Sequence, residues 1–532
     1  MPLENITIRQ PRLLTLLIMT CINCPLLFFK MKRIIFLLSV GILSACSSDK
    51  KTADEGSQLA ETYCVSCHSF PEPDLIDKNS WEQYMLPRMG MFLGIVEHDS
   101  LRASIASTEA DLKNVEASGI FPTQPILSQE EWQKIKDFYI ANAPDKIKQP
   151  EKKSITKGLK GFEVKVPEYK LSPPSITMAR FDTVNHAIFL GDANSQSLMV
   201  MSSELQFLQG AKIGEGPVWM QELQDEYIIT VMGSFSPTDY GSGYVLSLPK
   251  TSGKAHKVID SLRRPTHSNV ADLNGDGFTD IVTCEFAKWT GKLTLWLNDG
   301  AGKYNPKTLR NKPGAISSYI KDLNNDNRPD IIALFGQGDE GIFIYYNEGN
   351  GNFREETALR FPPSYGSTSF KLYDFNNDGH DDIVYTAGDN ADFPPILKHY
   401  HGVYIFLNDR NNHFKQEHFL QLNGAYAAVP NDYDMDGDID IAAISFFPDY
   451  QAQPVESFVY YENDGNNNFS LSTFDNPTMG RWIVMDAADY DGDGDKDIVL
   501  GSLAFEVVPP NGLVERWVEQ GIPFIVLENK LK

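Results

Sequence analysis

Five stretches of the chain repeat one ten-residue pattern, D-x-[DN]-x-D-[GN]-x-x-D-I. They are "DLNGDGFTDI" from Asp272, "DLNNDNRPDI" from Asp322, "DFNNDGHDDI" from Asp374, "DYDMDGDIDI" from Asp432 and "DYDGDGDKDI" from Asp489. The starts lie 50, 52, 58 and 57 residues apart, a period that suits one propeller blade and is too long for a helical hairpin. Oxygens at positions 1, 3, 5 and 9, with a main-chain carbonyl at 7, can wrap a hard cation, and Gly at 6 permits the sharp turn. The candidate calcium residues are therefore Asp272, Asn274, Asp276, Phe278 and Asp280; Asp322, Asn324, Asp326, Arg328 and Asp330; Asp374, Asn376, Asp378, His380 and Asp382. The last two loops add Asp432, Asp434, Asp436, Asp438 and Asp440, then Asp489, Asp491, Asp493, Asp495 and Asp497. EF-hands share the first half of this pattern but need Glu at position 12. Here position 12 is Thr283, Ala333, Tyr385, Ala443 or Leu500, and position 10 is always Ile, so each loop leads into a strand. Solvated acidic turns explain one copy but hardly five. Asn327 replaces the Gly in the second loop, which predicts a weaker site there.

Each repeat has a second landmark, an aromatic strand ending in Asn before a Gly/Asn turn, as in "LTLWLNDGAGKY" and "IFIYYNEGNGNF". The blade then reads strand A, acidic loop, strand B, BC loop, strand C, hairpin, strand D. Two blades without the loop fit before Asp272, around "ITMARFDTVNHAIFLGDANSQSLMVMSS" and "VWMQELQDEYIITVMGSFSPTDYGSGYVLSLP", making seven. The loops resemble the calcium loops of the FG-GAP/VCBS repeat family, whose type structure is the seven-bladed propeller of integrin α-chains. The Phe-Gly and Gly-Ala-Pro pieces of that family are mostly missing, so the resemblance rests on the Asp loops and the blade length. It implies an all-β seven-bladed propeller with calcium-binding loops over residues 161–532. The last strand-C sequence, in "PFIVLENKLK", has no strand D after it, while "GFEVKVPEYKL" (161–171) is a spare alternating strand. This predicts pairing of 162–168 with 523–530, which would hide two open edges.

From loop start to the strand-C Asn the repeats measure 26, 25, 34, 31 and 40 residues (Asn298, Asn347, Asn408, Asn463, Asn529). The growth is all in the BC loops, on the face opposite the acidic loops. Long loops on one face of a rigid scaffold are where binding concentrates. The candidate ligand face comprises Trp289, Gln337, Asp339, Glu340, Asp389, Asn390, Asp392, His399, Tyr400, His401, Asp449 and Tyr450, with His267 expected to reach the same central funnel. Carboxylates, amides and rings together suit a polyhydroxylated small molecule or glycan. Insertions decorating a tolerant edge are the plainer reading.

The other informative stretch is "ETYCVSCHSF" (61–70). Zinc would want two further close ligands, and a thioredoxin-like motif a βαβ surround. Cys64-x-x-Cys67-His68 in an exported chain is the signature of c-type haem attachment, with His68 on the iron. The surround resembles a small class I cytochrome c domain: "GSQLAETYCVSCHSF" as its first helix and "LSQEEWQKIKDFYIANAPD" (127–145) as its last, with Ser128 capping and Glu130 or Glu131 near N3. That family places a Met on the far side of the iron. Of Met85, Met89 and Met91, Met89 is favoured, on a loop after Pro87, with Met91 the alternative and His98 a fallback; the family's Met usually comes later. All three also read as ordinary core methionines.

Export is read from "MKRIIFLLSVGILSAC", a Lys-Arg start, a short apolar run and a small-residue exit. Leu43-Ser44-Ala45-Cys46 resembles a bacterial lipobox, which implies acylation of Cys46 and anchoring by lipid alone, at the outer membrane facing the periplasm or the cell surface. An ordinary signal peptide with an incidental Cys is the alternative. The expected layout is 1–45 leader and signal peptide (with Met31 as the true start), 46–54 lipidated spacer, 55–148 a small all-α cytochrome c domain, 149–160 linker and 161–532 propeller. Removing residues 1–45 takes five Lys/Arg and one Glu and leaves a net charge of −28, which excludes nucleic acid as a partner. The resulting expectation is a lipid-anchored cytochrome with haem c and calcium, passing electrons for a redox partner protein or a ligand held by the propeller. Two rivals stand beside it: a glycan- or protein-binding platform with an accessory haem, and a haem-linked oxidoreductase acting on a polyhydroxylated substrate.

Overall fold

The computed structural model describes residues 48–106, 108–391, 395–504 and 512–531. From residue 162 onward the chain forms seven antiparallel four-stranded blades. They span 176–212, 217–262, 265–310, 315–360, 367–421, 425–473 and 482–529, the seventh completed from the other end of the propeller sequence. In the five loop-bearing blades, strand B begins on the position-9 aspartate (Asp280, Asp330, Asp382, Asp440, Asp497) and is buried throughout. A strand with a neighbouring blade on both faces reads as an unbroken apolar run such as "DIIALF", not as an alternation. The apolar residues gather into seven clusters, one between each adjacent pair of blades.

The ring closes as the sequence leads one to expect. Phe162–Lys165 pairs antiparallel with Phe524–Asn529, with Phe162 opposite Asn529 and Val164 opposite Leu527. Blade 7 thus takes three strands from one end of the propeller and its outermost strand from the other, and neither edge is left open. One strand is unforeseen: Thr156–Lys157 runs parallel to the outer edge of blade 6, Thr156 opposite Ser472. Two residues carry no periodicity to reveal it.

Ahead of the propeller lies a group of helices that includes Ser48–Tyr63, Leu86–Phe92, Glu109–Ser118 and Gln129–Asn142. Ser128 and Glu131 form a reciprocal capping box on the last of these, which settles the choice between Glu130 and Glu131. The helices bury Ile76, Trp81, Leu86, Trp132, Ile135 and Tyr139 in one core. One local expectation needs correction. Met89 is within the helix Leu86–Phe92 and not on a loop, because Pro87 sits in the first turn, where its missing N–H costs nothing. The longest BC loop folds a helix, Leu513–Gln520, whose Trp517 is buried.

Candidate functional site

The acidic loops share one hydrogen-bond scheme. Both oxygens of the position-9 aspartate accept main-chain N–H groups, one from position 2 of its own loop and one from the strand-C Asn. Asp280 takes Leu273 at 2.9 Å and Asn298 at 2.8 Å; Asp330 takes Leu323 at 3.0 Å and Asn347 at 2.7 Å. Asp382, Asp440 and Asp497 repeat this with Phe375 and Asn408, Tyr433 and Asn463, and Tyr490 and Asn529. In the first four of these blades the strand-C Asn side chain donates in turn to the position-8 carbonyl, of Thr279, Pro329, Asp381 and Ile439. The Asn landmark in the sequence is therefore the residue that fastens strand C to the loop.

Position 9 is committed inward, and the carboxylates that converge are those of positions 1, 3 and 5. In Asp432/Asp434/Asp436 and in Asp489/Asp491/Asp493 the ligand oxygens all lie within 4.8 Å of one another. Position 6 is left-handed in every loop: Gly277, Gly379, Gly437 and Gly494 at φ +85° to +105°, and Asn327 at φ +65° where Gly is absent. Asn is among the residues that tolerate this region, so the second loop keeps its shape. The position-7 main-chain N–H donates to the position-5 carboxylate in every loop, while the side chains differ: Phe278 is exposed and Arg328 pairs with its own Asp326 at 2.5 Å.

Burial together with neighbouring carboxylates pushes Asp438 and Asp495 up to about 6 and Asp440 and Asp497 up to about 7. Buried oxygens of Asp432, Asp438 and Asp495 have no hydrogen-bond donor. An oxygen-rich, like-charged, under-satisfied loop is the donor set a hard cation requires, and these residues fit calcium.

The thiol pair lies where the first helix gives way to the turn Cys64–Ser66. Cys67 is exposed, and Cys64 packs against the helical core; burial raises the Cys64 thiol, with the Tyr139 hydroxyl beside it acting the other way. His68 is 6% exposed, and its Nδ1 lies 2.7 Å from the Ser69 carbonyl. That bond makes Nδ1 the protonated nitrogen and leaves the Nε2 lone pair for a metal. Met89 packs on the same core as Cys64, whereas buried Met91 belongs to a separate cluster with Ile105 and Val115. A pair of thiols two residues apart, a tautomer-fixed imidazole behind them and a thioether on the same core as Cys64 fit haem c. Cys46 lies outside the described residues.

The candidate ligand face is divided. Part of it holds the helices. Trp289 gives its indole N–H to the Ile105 carbonyl at 2.7 Å and packs edge-on against Phe121, while Tyr400 donates to the Leu75 carbonyl at 2.9 Å. Asp449 pairs with Lys152 at 2.5 Å. Part of it joins blades to one another. Gln337 donates to the Lys288 carbonyl, Asp339 pairs with Arg310 and Arg360 at 2.6 Å each, and Glu340, pushed by burial to about 8, accepts from the Ser367 N–H and hydroxyl. Asn390 holds the Ile396 carbonyl within its own loop, and Asp389 caps Ala391. His401 is buried and Tyr450 lies 6.2 Å from Trp517, ring to ring; His399 is exposed; Asp392 lies outside the described residues. His267 is on the innermost strand of blade 3, its ring tilted against Trp219 with centroids 4.0 Å apart, and is pushed to about 3 by burial, with Arg180 and Lys371 acting the same way.

Sequence reasoning passed over the residues that dock the helices. Asp111, 2% exposed, accepts the Thr238 hydroxyl at 2.8 Å and the Asp239 N–H at 2.9 Å. Asp239 in turn accepts the N–H groups of Trp289 and Thr290. Asp339 and Arg360 of blade 4 also bias His68 in opposite directions, so the haem-type motif and the BC side of blade 4 are neighbours.

The FG-GAP-like repeat family model matches residues 272–333, 322–385 and 432–500. Those stretches hold all five acidic loops, so this is a seven-bladed β-propeller built with FG-GAP-like repeats. Solved structures of similar shape include Sqt1 of Saccharomyces cerevisiae (9% identity, 66% of this chain and 83% of that one, TM-score 0.41). Others are BBS1N in complex with ARL6DN (8%, 70% and 97%, TM-score 0.43) and a streptogramin B lyase (10%, 69% and 98%, TM-score 0.44). Likeness at this level carries no statement about function.

Proposed function

We propose that this chain is an exported, lipid-anchored c-type cytochrome whose calcium-stabilised FG-GAP propeller positions the haem-bearing helices and binds a redox partner or a polyhydroxylated ligand beside them. Cys64, Cys67, His68 and Met89 (Met91 as the alternative) would hold haem c. When bound, haem supplies one-electron chemistry. The observation that carries the reading is His68: buried, tied by Nδ1 to the Ser69 carbonyl, and set behind two cysteines. Burial holds the His68 imidazole neutral, so its Nε2 lone pair stays available and shielded from water. Calcium would sit on positions 1, 3 and 5 of the acidic loops. Acylated Cys46 would hold the protein at a bacterial membrane. Among the described residues no helix is long and apolar enough to cross one.

The test is expression in a host that matures cytochromes, followed by denaturation and an alkaline pyridine spectrum. Haem should stay on the chain through Cys64 and Cys67. Undiminished covalent haem in Cys64→Ala/Cys67→Ala would end the proposal. The engagement of Trp289 and Tyr400 of the BC face by the helices supports this reading over its rival, a binding platform with an accessory haem. Reduction of the haem by a glycan or small-molecule panel separates the two.

A further inference from the structure

The innermost strands of the seven blades bring charge to the axis of the ring. Arg180, Lys371 and Asp486 stand in register, each two residues before the end of its strand, in blades 1, 5 and 7. Their neighbours Ala179, Phe370 and Met485 are buried between blades, whereas these three keep part of their surface. No strand lies inside the innermost one, so that surface faces the central channel. Contacts run around the channel from blade to blade. Arg180 reaches Asp486 at 3.3 Å and covers the Trp219 ring of blade 2, 4.4 Å from its centroid. His267 of blade 3 feels both Arg180 and Lys371. Those two stand two blades away on either side of it, and they can act on it together only across the axis.

The charges do not cancel. Asp486 is committed to Arg180 and to the Phe181 N–H. Among the described residues Lys371 has neither hydrogen bond nor ion pair. At its level on the other strands stand Gln221, Asn269, Tyr319 and Val429, all uncharged. The channel therefore holds one uncompensated positive charge between walls of low dielectric, where its field is focused. His267, kept neutral by burial, adds a donor: the Asn269 amide faces its Nδ1 at 3.5 Å, which puts the proton on Nε2.

We propose that the central channel binds one monovalent inorganic anion of the chloride type, held by the Lys371 ammonium, the Arg180 guanidinium and the His267 Nε2–H. A single negative charge balances Arg180, Lys371 and Asp486 taken together, and a divalent oxyanion would leave an excess. The anion ties blades 1, 3 and 5 to one another across the axis. This goes beyond the cytochrome reading and does not depend on it.

The probe is chloride itself. The full chain, loaded with calcium, is exchanged into gluconate and titrated with sodium chloride at constant ionic strength, and the chloride NMR line width is followed. The expected result is a saturable component of one site per chain. Lys371→Gln keeps the length of the side chain and removes its charge, and should weaken that component about tenfold or more. Asp486→Asn removes the one negative charge at this level and should tighten it several-fold. No saturable component, or one undiminished in Lys371→Gln, overturns the assignment. So does sulfate displacing chloride from the unaltered chain at equal concentration, because a divalent anion would then be the better fit. If Lys371→Gln does not fold, Asp486→Asn decides: binding that fails to tighten there is equally fatal.

Discussion

The two faces of the propeller are built on opposite principles. On the acidic face, five loops repeat one clasp that stays within a blade, position 9 to position 2 and position 9 to the strand-C Asn, and the Asn347 and Asn529 side chains add bonds to the position-2 carbonyls of the neighbouring loops, Leu273 and Tyr433. On the BC face the shared element is one main-chain bond per blade, as from the Phe286 N–H to the Arg264 carbonyl, while the side-chain bonds differ from loop to loop and many run between blades or to the helices, as from Trp289 to Ile105 and from Thr238 to Asp111. Locally closed geometry can be copied from blade to blade. Geometry closed through distant partners cannot be, so each BC loop is particular to its neighbours.

If the acidic face is held by cations, their removal should have the largest effect. A site saturated 100-fold above its Kd contributes about 2.7 kcal/mol. Five such sites imply a fall in propeller melting temperature on the order of 10 °C on chelation. Calorimetry with and without EGTA measures it, and coincident melts would mean that the loops are empty acidic turns.

The pH dependence sharpens the same point. Burial and like charge raise Asp440 and Asp497 to about 7 in the fold, above the unfolded carboxylate range near 3.8. A raised carboxyl binds more protons folded than unfolded between those values, so stability falls as pH rises from about 4 to 7. The chelated propeller should therefore melt lower at pH 8 than at pH 5. With calcium present the slope should flatten, because a cation on positions 1, 3 and 5 offsets the like charge that helps to raise these two carboxyls. An unchanged slope on adding calcium would detach the cation from these aspartates.

Within the acidic face the loops should rank. The loop from Asp489 brings five carboxylates, with Asp489, Asp491 and Asp493 converging. The loop from Asp322 brings three, and Arg328 already neutralises Asp326. Asp493→Ala should cost one bound calcium and several degrees of melting temperature; Asp326→Ala should cost little. Calcium content by elemental analysis reads this directly, and equal losses would show that Arg328 does not compete.

The same contrast explains what the sequence makes legible. Loop, strand B and strand-C Asn recur five times at blade spacing, so architecture, blade order and ring closure can all be read. Position 9 as an inward clasp is not legible, because an aspartate that binds a cation and one that binds two amides are the same letter. On the BC face Glu340 and Asp339 look like ligands in sequence, since charge in a loop suggests solvent. Their partners Ser367, Arg310 and Arg360 lie in other strands or blades. Pro87 reads as a breaker in sequence, but it opens the helix that carries Met89.

On the BC face the effects should be smaller and confined to the docking of the helices. Asp111→Ala leaves the Thr238 hydroxyl and the Asp239 amide without their acceptor at a buried site, a local cost of about 1–3 kcal/mol. Hydrogen exchange at Asp239 and across Glu109–Ser118 should speed up about tenfold or more, while propeller melting in calcium stays put. A matching loss of propeller melting would show that the helices are part of the ring's stability.

Tyr400→Phe should have the smallest effect. It removes one hydrogen bond, to the Leu75 carbonyl, and keeps the ring that stacks 4.8 Å from Tyr365. Leu75 is half-buried, so water can reach its carbonyl in place of the lost hydroxyl. The cost should therefore sit near the low end of a single hydrogen bond, about 0.5 kcal/mol. Exchange around Leu75 should rise about twofold, and exchange at Asp239, on the far side of the docking surface, should not change. A loss at Tyr400 as large as that at Asp111, or one that spreads to Asp239, would mean that the helices leave the BC face as one body. In that case the two contacts belong to a single cooperative latch, and the particularity of the BC loops is collective, not a sum of separate bonds.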